Sequence, residues 1–254
     1  MTEGPALRTQ NLTRYFGGLV AVREVSLECR MREVHAVIGP NGAGKTTLIN
    51  MLSGELRPSS GAVVLHGRDV TGFASHRMSR LGVGRSFQRT NVFLPFTAFE
   101  NCRLAAQSRL KSSMRFFRPA LANREVNAAA ERALAAAGLE GRAETAVAAL
   151  SHGEQRQVEI AMTLATDPAV LLLDEPLAGM GAEESARMVV LLKKLAADHA
   201  ILLVEHDMDA VFAVADVLTV MVSGMVLESG TPEAIRSSRD VQQAYLGTED
   251  LSQP

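Results

Sequence analysis

The chain lacks a dominant charge. Its 26 Lys and Arg against 28 Asp and Glu leave a formal net charge of −2 over 254 residues. There is no global basic field of the kind that holds nucleic acid, so no nucleic-acid partner is expected. Cysteine is nearly absent. Cys29 and Cys102 stand far apart without metal-ligand spacing, and a reduced cytosolic compartment is the simplest reading. Long hydrophobic runs are missing too. None approaches the ~18 residues of a membrane span, and the most apolar region, VFAVADVLTVMV, is broken by Asp216 and Thr219. The opening MTEGPALRTQ has no apolar core like that of a secretory signal. A soluble protein, free to work at a membrane, is expected. No internal repeat is visible.

What is present is apolar content. At 47% apolar residues the chain can bury a sizeable core, as one large domain or a domain with a subdomain. Residues 6–38 alternate in a β-like way and end in the buried-strand run VHAVIG. A glycine-rich turn follows, then a helix, KTTLINMLSG, stopped by Gly54 and Pro58. GAVVLHG reads as a short strand. Residues 97–107 and 124–138 read as helices, the second closed by Gly138. From about 154 the rhythm becomes helix, strand, helix, strand, with AVLLLDE and AILLVEH as buried strands and a helix over 183–197 between them. That alternation predicts an α/β fold with parallel strands. Residues 217–230 read as a hairpin turned at Ser223-Gly224, and GTEDLSQP as a frayed end. The segment 89–150 interrupts the α/β rhythm with an inserted helical subdomain, and 231–254 forms a helical tail.

GPNGAGKTT spans Gly39, Pro40, Asn41, Gly42, Ala43, Gly44, Lys45, Thr46 and Thr47. It matches G-x-x-x-x-G-K-[ST] between a strand and a helix. The glycines let backbone N–H groups wrap phosphates, Lys45 supplies a charge to the β and γ phosphates, and Thr46 can ligate Mg²⁺. The bland alternative is a glycine-rich turn with a chance lysine. VLLLDEP is an apolar strand running into two acids. Asp174 is placed to hold Mg²⁺ and Glu175 to polarise an attacking water, although many strands simply end in a charged turn. His206, at the end of the next strand, is either structural or aimed at a γ-phosphate. Gln88, in GRSFQRT, can bridge Mg²⁺ or the attacking water and a mobile segment. LSHGEQRQVEIA offers Ser151 as a helix N-cap and Gly153 as an open backbone position. Such a helix start suits an anion, which is odd in a chain that already has a phosphate loop.

Taken in order, GPNGAGKTT, RSFQ, LSHGEQ, LLLDEP and EH resemble the ATP-binding subunit of ABC transporters over about residues 7–247. The resemblance implies a P-loop NTPase fold: a RecA-like parallel-sheet core with an N-terminal antiparallel β subdomain and the inserted α-helical subdomain. It implies ATP and Mg²⁺, with Gly39–Thr47 as the phosphate loop and Gln88 as the Q-loop glutamine. Asp174 becomes the Mg²⁺ aspartate, Glu175 the catalytic glutamate and His206 the switch histidine. Phe16 falls where the family stacks an aromatic on adenine, with Tyr15 the competing choice. LSHGEQ looks like the ABC signature, which in the family caps the γ-phosphate held by a head-to-tail partner, so Ser151, Gly153 and Glu154 would face a partner's ATP. His152 and Glu154 depart from the usual Leu-Ser-Gly-Gly-Gln, and Gly181 replaces the aspartate usual after the catalytic glutamate.

The insert, EPLAGM, EHDM and the ending GTPEAIRSSRDVQQAYLG look like the bacterial importers for branched-chain amino acids. Relatives for urea, short amides and aromatic acids share much of this pattern. The resemblance implies two transmembrane permease subunits, a second ATP-binding subunit (self or paralogue), an extracytoplasmic solute-binding protein, and a peripheral place on the cytoplasmic face of the bacterial inner membrane. A soluble ABC ATPase of DNA repair or chromosome handling is the alternative of another class. Those proteins insert coiled coils or zinc sites where this chain has a short gap from Gln88 to Ser151. Translation-associated relatives carry two ATP cores in one chain, and an unrelated P-loop kinase or GTPase would not carry LSHGEQ.

Two further stretches each allow two readings. In TNVFLPFTAFEN, Val92, Phe93, Leu94, Phe96 and Phe99 form either the core of the helical subdomain or an apolar groove for a helix of a membrane partner. SRLKSSMRFFRPALANR carries Arg109, Lys111, Arg115, Arg118 and Arg124 with no acid, around Phe116 and Phe117. It is either a solvated charge run or a contact with the anionic leaflet or its membrane partner.

Overall fold

The computed structural model describes residues 4–86, 91–110 and 123–249. Strands β1 (Leu7–Phe16), β2 (Leu19–Val25), β3 (Glu28–Cys29), β5 (Ser60–Leu65) and β6 (Arg68–Asp69) build an antiparallel sheet in the order β2-β1-β5-β6, with β3 also on β1. Strands β4 (Glu33–Ile38), β7 (Val83–Arg85), β8 (Val170–Asp174), β9 (Ala200–Val204), β10 (Val217–Val222) and β11 (Met225–Gly230) build the second sheet in the order β11-β10-β4-β9-β8-β7. All of its pairings are parallel except the β10–β11 hairpin. That hairpin turns where expected, with Ser223 and Gly224 at φ 49° and 81°.

The parallel strands are buried on both faces, which is why they read as unbroken apolar runs. Their two-residue period then sorts side chains between two cores. Val170, Leu172, Ala200, Leu202 and Val204 pack with β1, β2 and helix α1 (Lys45–Leu52). Leu171, Leu173, Ile201 and Leu203 pack on the other face with α6 (Ala182–Ala196) and α7 (Met208–Val214). The short α2 (Ser75–Arg80) leads into β7. A third core joins α3 (Ala98–Gln107), α4 (Arg124–Ala136) and α5 (His152–Leu164). Its Val158 and Ala161 come from α5, so the helical core reaches beyond residue 150. Thr97 caps α3 in a reciprocal box with Glu100, and Gly138 follows α4 at φ 74°. Cys29 and Cys102 are free, buried and in different cores.

The tail folds as α8 (Pro232–Ser237) and α9 (Arg239–Glu249), so GTEDLSQP is helical through Glu249 rather than frayed from its start; residues 250–254 lie outside the described residues. Among the described residues no helix is long and apolar enough to cross a membrane.

Candidate functional site: a phosphate cradle at the sheet's C-terminal edge

Parallel register assembles the site. Val37 pairs with Val204, and Val204 with Asp174, so β4, β9 and β8 end at one level. Ligands bind at that edge of open parallel sheets. The loop after β4 is Gly39–Gly44, the residue ending β8 is Asp174, and His206 stands two residues beyond β9.

The loop needs its glycines for space as well as for φ. A Cβ on Gly39, at φ 150°, would fall 2.1 Å from the Met221 carbonyl oxygen. One on Gly44, at φ 96°, would fall 2.4 Å from the Ala21 carbonyl oxygen. The loop is thus wedged between β2 and the end of β10, and Gly224 N–H donates to the Ala43 carbonyl at 3.1 Å. Gly44 is also the N-cap of α1 and gives no side-chain cap, and no acid sits in the first turn. The amides there remain open to a phosphate. Lys45 is largely buried and donates from Nζ to the carbonyls of Gly39 and Pro40, the latter at 3.1 Å. Burial lowers its pKa, while the Glu175 and Asp174 carboxylates oppose that shift. Thr46 is exposed beside it and Thr47 half-buried.

Asp174 is 2% exposed. One of its oxygens, Oδ2, lies 3.6 Å from the Arg85 guanidinium; the other, Oδ1, is buried without a hydrogen-bond partner. Burial raises its pKa first, with Arg85 pulling down and Glu175 pushing up. An orphaned buried carboxylate oxygen next to a phosphate loop fits a hard divalent cation, so Asp174 and Thr46 suit the implied Mg²⁺. Arg85 also donates to Ser53 Oγ at 2.7 Å and pairs with Glu55 at 3.1 Å, tying the end of α1 to β7.

Glu175 follows β8 in the left-handed region, φ 49°, an uncommon conformation for a residue with a side chain. Its N–H donates to Val204 at 2.8 Å, across the strand ends. Its Oε1 is 3.8 Å from His206 Nδ1, and His206 is itself 62% exposed at the side chain. The same Nδ1 is 3.7 Å from Glu205, a fully buried carboxylate whose pKa burial raises and three backbone N–H groups lower. Phe16 ends β1 with Arg14 stacked on its ring at 4.7 Å and is 45% exposed. Tyr15 is equally exposed, so exposure does not choose between them. Gln88 lies outside the described residues.

The start of α5, the other candidate for an anion, is differently built. Ser151 caps α5, accepting from Glu154 N–H at 3.2 Å, and Glu154 Oε2 accepts from Ser151 N–H at 2.9 Å. Glu154 also pairs with Arg142 at 3.0 Å. Ser151 Oγ donates to Glu184 Oε1 at 2.9 Å, and a Cβ on Gly153 would lie 2.8 Å from that same oxygen. A carboxylate of this chain therefore rests on Ser151 and Gly153. From its buried face α5 sends Arg156 inward, paired with Glu159 at 2.8 Å and close enough to draw down the Asp174 pKa.

TNVFLPFTAFEN divides between its two readings. Val92 and Phe99 pack on the helical core, whereas Phe93, Leu94 and Phe96 face solvent, the two rings stacked at 5.5 Å. Of the basic run, Arg109 pairs with Asp167 at 3.7 Å and Arg124 opens α4; Lys111, Arg115, Arg118, Phe116 and Phe117 lie outside the described residues. Sequence reasoning passed over Arg85, Glu184 and Glu205. The partners that give them meaning are 89, 33 and 28 residues away (174 − 85, 184 − 151 and 205 − 177), and no local pattern marks such pairs.

A glycine cradle, a buried lysine and strand-end Asp-Glu-His groups have the arrangement that a P-loop nucleoside triphosphatase requires. The comparisons with known proteins narrow that class. The model described as "ABC transporter" matches residues 22–178, and that described as "Branched-chain amino acid ATP-binding cassette transporter" matches residues 226–250. The chain is 40% identical over 250 residues to the high-affinity branched-chain amino acid transport ATP-binding protein LivG of Salmonella typhimurium, covering 96% of this chain and 98% of the relative. It is 39% identical to BraF of Pseudomonas aeruginosa, described in the same words, with the same coverage. The ADP conformation of MJ1267, an ATP-binding cassette of an ABC transporter, superposes with a TM-score of 0.85 at 28% identity, covering 95% of this chain and 98% of that one. The chain belongs to the ABC transporter family of ATP-binding cassettes. It is an ATPase whose hydrolysis powers transport, and such cassettes work with membrane permease subunits and form dimers.

Proposed function

We propose that this chain is the ATP-hydrolysing subunit of an importer for branched-chain or related amino acids, seated on the cytoplasmic face of the membrane against two permease subunits and fed by an extracytoplasmic solute-binding protein. The observation that carries the solute class is similarity along nearly the whole chain to proteins described as branched-chain amino acid transport ATP-binding proteins.

The loop amides of Gly39–Gly44 and Lys45 bind and orient the triphosphate, and Phe16 stacks on the base. Asp174 and Thr46, with Gln88, would hold Mg²⁺, which would supply charge neutralisation to the triphosphate. Glu175 orients water for in-line attack while His206 supports the γ-phosphate. Ser151 and Gly153 of a partner subunit meet that phosphate from the far side, so each chain completes its partner's site. The exposed Phe93, Leu94 and Phe96 supply an apolar surface for a helix of the permease.

The test is co-purification from detergent-solubilised native membranes, with Glu175→Gln protein and MgATP as bait. Polytopic membrane proteins with a second ATPase subunit are expected, and binding assays on the companion solute receptor then decide among branched-chain amino acids, urea, short amides and aromatic acids. Recovery of this chain alone, or of ribosomal or DNA-associated proteins, would sink the importer reading. Phe93→Ser/Leu94→Ser should weaken membrane association; if association and substrate-stimulated hydrolysis both survive, the docking surface lies elsewhere.

A further inference from the structure

Glu205 is 0% exposed, and its two oxygens serve two different loops. Oε1 accepts from Leu177 N–H at 2.8 Å, in the turn that follows Glu175. Oε2 accepts from the N–H of His206 at 3.0 Å and of Asp207 at 3.5 Å, where β9 gives way to α7. His206 Nδ1 stands 3.7 Å from Glu205 and 3.8 Å from Glu175, so one ring nitrogen has both carboxylates within reach. Elsewhere in this turn Glu175 N–H reaches Val204, Ala178 N–H folds back on the Glu175 carbonyl at 3.2 Å, and Met180 N–H donates to Leu177 at 3.2 Å. Yet Glu175 holds φ 49°, a conformation that costs a side-chain-bearing residue on the order of 1 kcal/mol or more and persists only where its surroundings enforce it.

We infer that Glu205 is a positioning residue that staples the Glu175 turn to the His206 loop, so that the water-orienting carboxylate and the phosphate-facing imidazole move as one unit. The inference rests on the roles given to Glu175 and His206 above. An ionised carboxylate suits this place because both oxygens only accept, and the backbone groups facing them only donate. An amide of the same shape turns an NH₂ donor toward backbone N–H groups on one side, and the staple opens there.

The test is steady-state hydrolysis by the full chain, with MgATP affinity and thermal unfolding measured on the same samples. Glu205→Gln should lower kcat at least about tenfold, since small misplacements of catalytic groups carry losses of this size. KM and MgATP affinity should stay within about twofold, because only positioning for the chemical step is lost. Glu205→Asp, charged but one carbon short, should also lose kcat. Unchanged kcat, or a loss matched by equal loss of nucleotide affinity, overturns the inference. Should Glu205→Gln fail to fold, amide hydrogen exchange on the unaltered chain decides: Leu177 and His206 should both be protected, and rapid exchange at either overturns it. Glu175→Gln separates the two levels. If that variant turns over normally, the role of Glu175 fails and takes the staple with it; if it is inactive while Glu205→Gln is not, only the staple fails.

Discussion

Two helix N-termini in this chain, both proposed above to meet phosphate, are built in opposite ways. Helix α1 starts at Gly44, with no side-chain cap and no acid in its first turn. Helix α5 starts at Ser151, with a reciprocal capping box and a second carboxylate, Glu184, on the capping hydroxyl. The first terminus leaves its amides to a ligand and fixes their geometry by wedging glycines against Ala21 and Met221. In the second, the Ser151 and Glu154 N–H groups are already satisfied by the chain's own capping box. A site that binds nucleotide by itself needs open donors. A site that, as proposed for Ser151, meets phosphate only when a partner brings it has to remain a stable helix end in the meantime, and capping supplies that stability.

The contrast can be broken by substitution. The largest effect is expected at Lys45→Ala, which removes the only side-chain charge of the phosphate loop: hydrolysis should fall by on the order of 10²–10³-fold or more, with nucleotide binding lost in a fluorescent-nucleotide titration. Retained tight binding with turnover would mean that the α1 terminus is not the nucleotide site. Gly44→Ala comes next. Its Cβ would meet the Ala21 carbonyl, and φ 96° is unfavourable for alanine, so denaturant unfolding should show a loss of about 1–3 kcal/mol together with weakened nucleotide affinity. A stable variant with unchanged affinity would show that the loop is not wedged.

Ser151→Ala should leave the nucleotide affinity of the separated chain unchanged, since its own phosphate loop is intact. Hydrolysis that depends on pairing should fall roughly tenfold, and the lost cap should cost about 1 kcal/mol of stability. Weakened binding in the separated chain would erase the distinction between the two termini. The smallest effect is expected at Glu154→Ala, which removes the return half of the capping box and a largely exposed ion pair with Arg142. About 0.5–1 kcal/mol of stability should go, with turnover hardly touched. If turnover falls as far as in Ser151→Ala, Glu154 works on the phosphate rather than on the helix.

Much of this was legible in the sequence because it is local. GPNGAGKTT declares its turn by glycine and its ligand by lysine, and VLLLDEP declares a strand buried on both faces that ends in acid. Thr97 and Ser151 are followed three residues later by Glu100 and Glu154, so both capping boxes are written in the chain. The tail was harder. GTEDLSQP has the composition of a loose end, yet its first residues extend α9, where the helix behind them is anchored by Val241 in the second core. The apolar cluster at 92–99 could not be resolved by composition. Whether a phenylalanine points to the core or to solvent depends on how α3 packs, and the answer differs for Phe99 and Phe93.

The sequence by itself determined most of the strands and helices and where the glycine-rich loop lies, because each rests on periodicity or on spacing within a few residues, and its motifs taken in order carried the resemblance to a family. Only the tertiary structure decided what those pieces do to one another. Parallel register brings Val37, Val204 and Asp174 to one level. Arg85 takes one oxygen of Asp174 and leaves the other without a partner. Glu184 settles on Ser151, and Glu205 joins the loops of Glu175 and His206. Contacts between residues far apart in the chain depend on where strands pair and helices dock, and those are outcomes of burying the core as a whole rather than of any short stretch of residues.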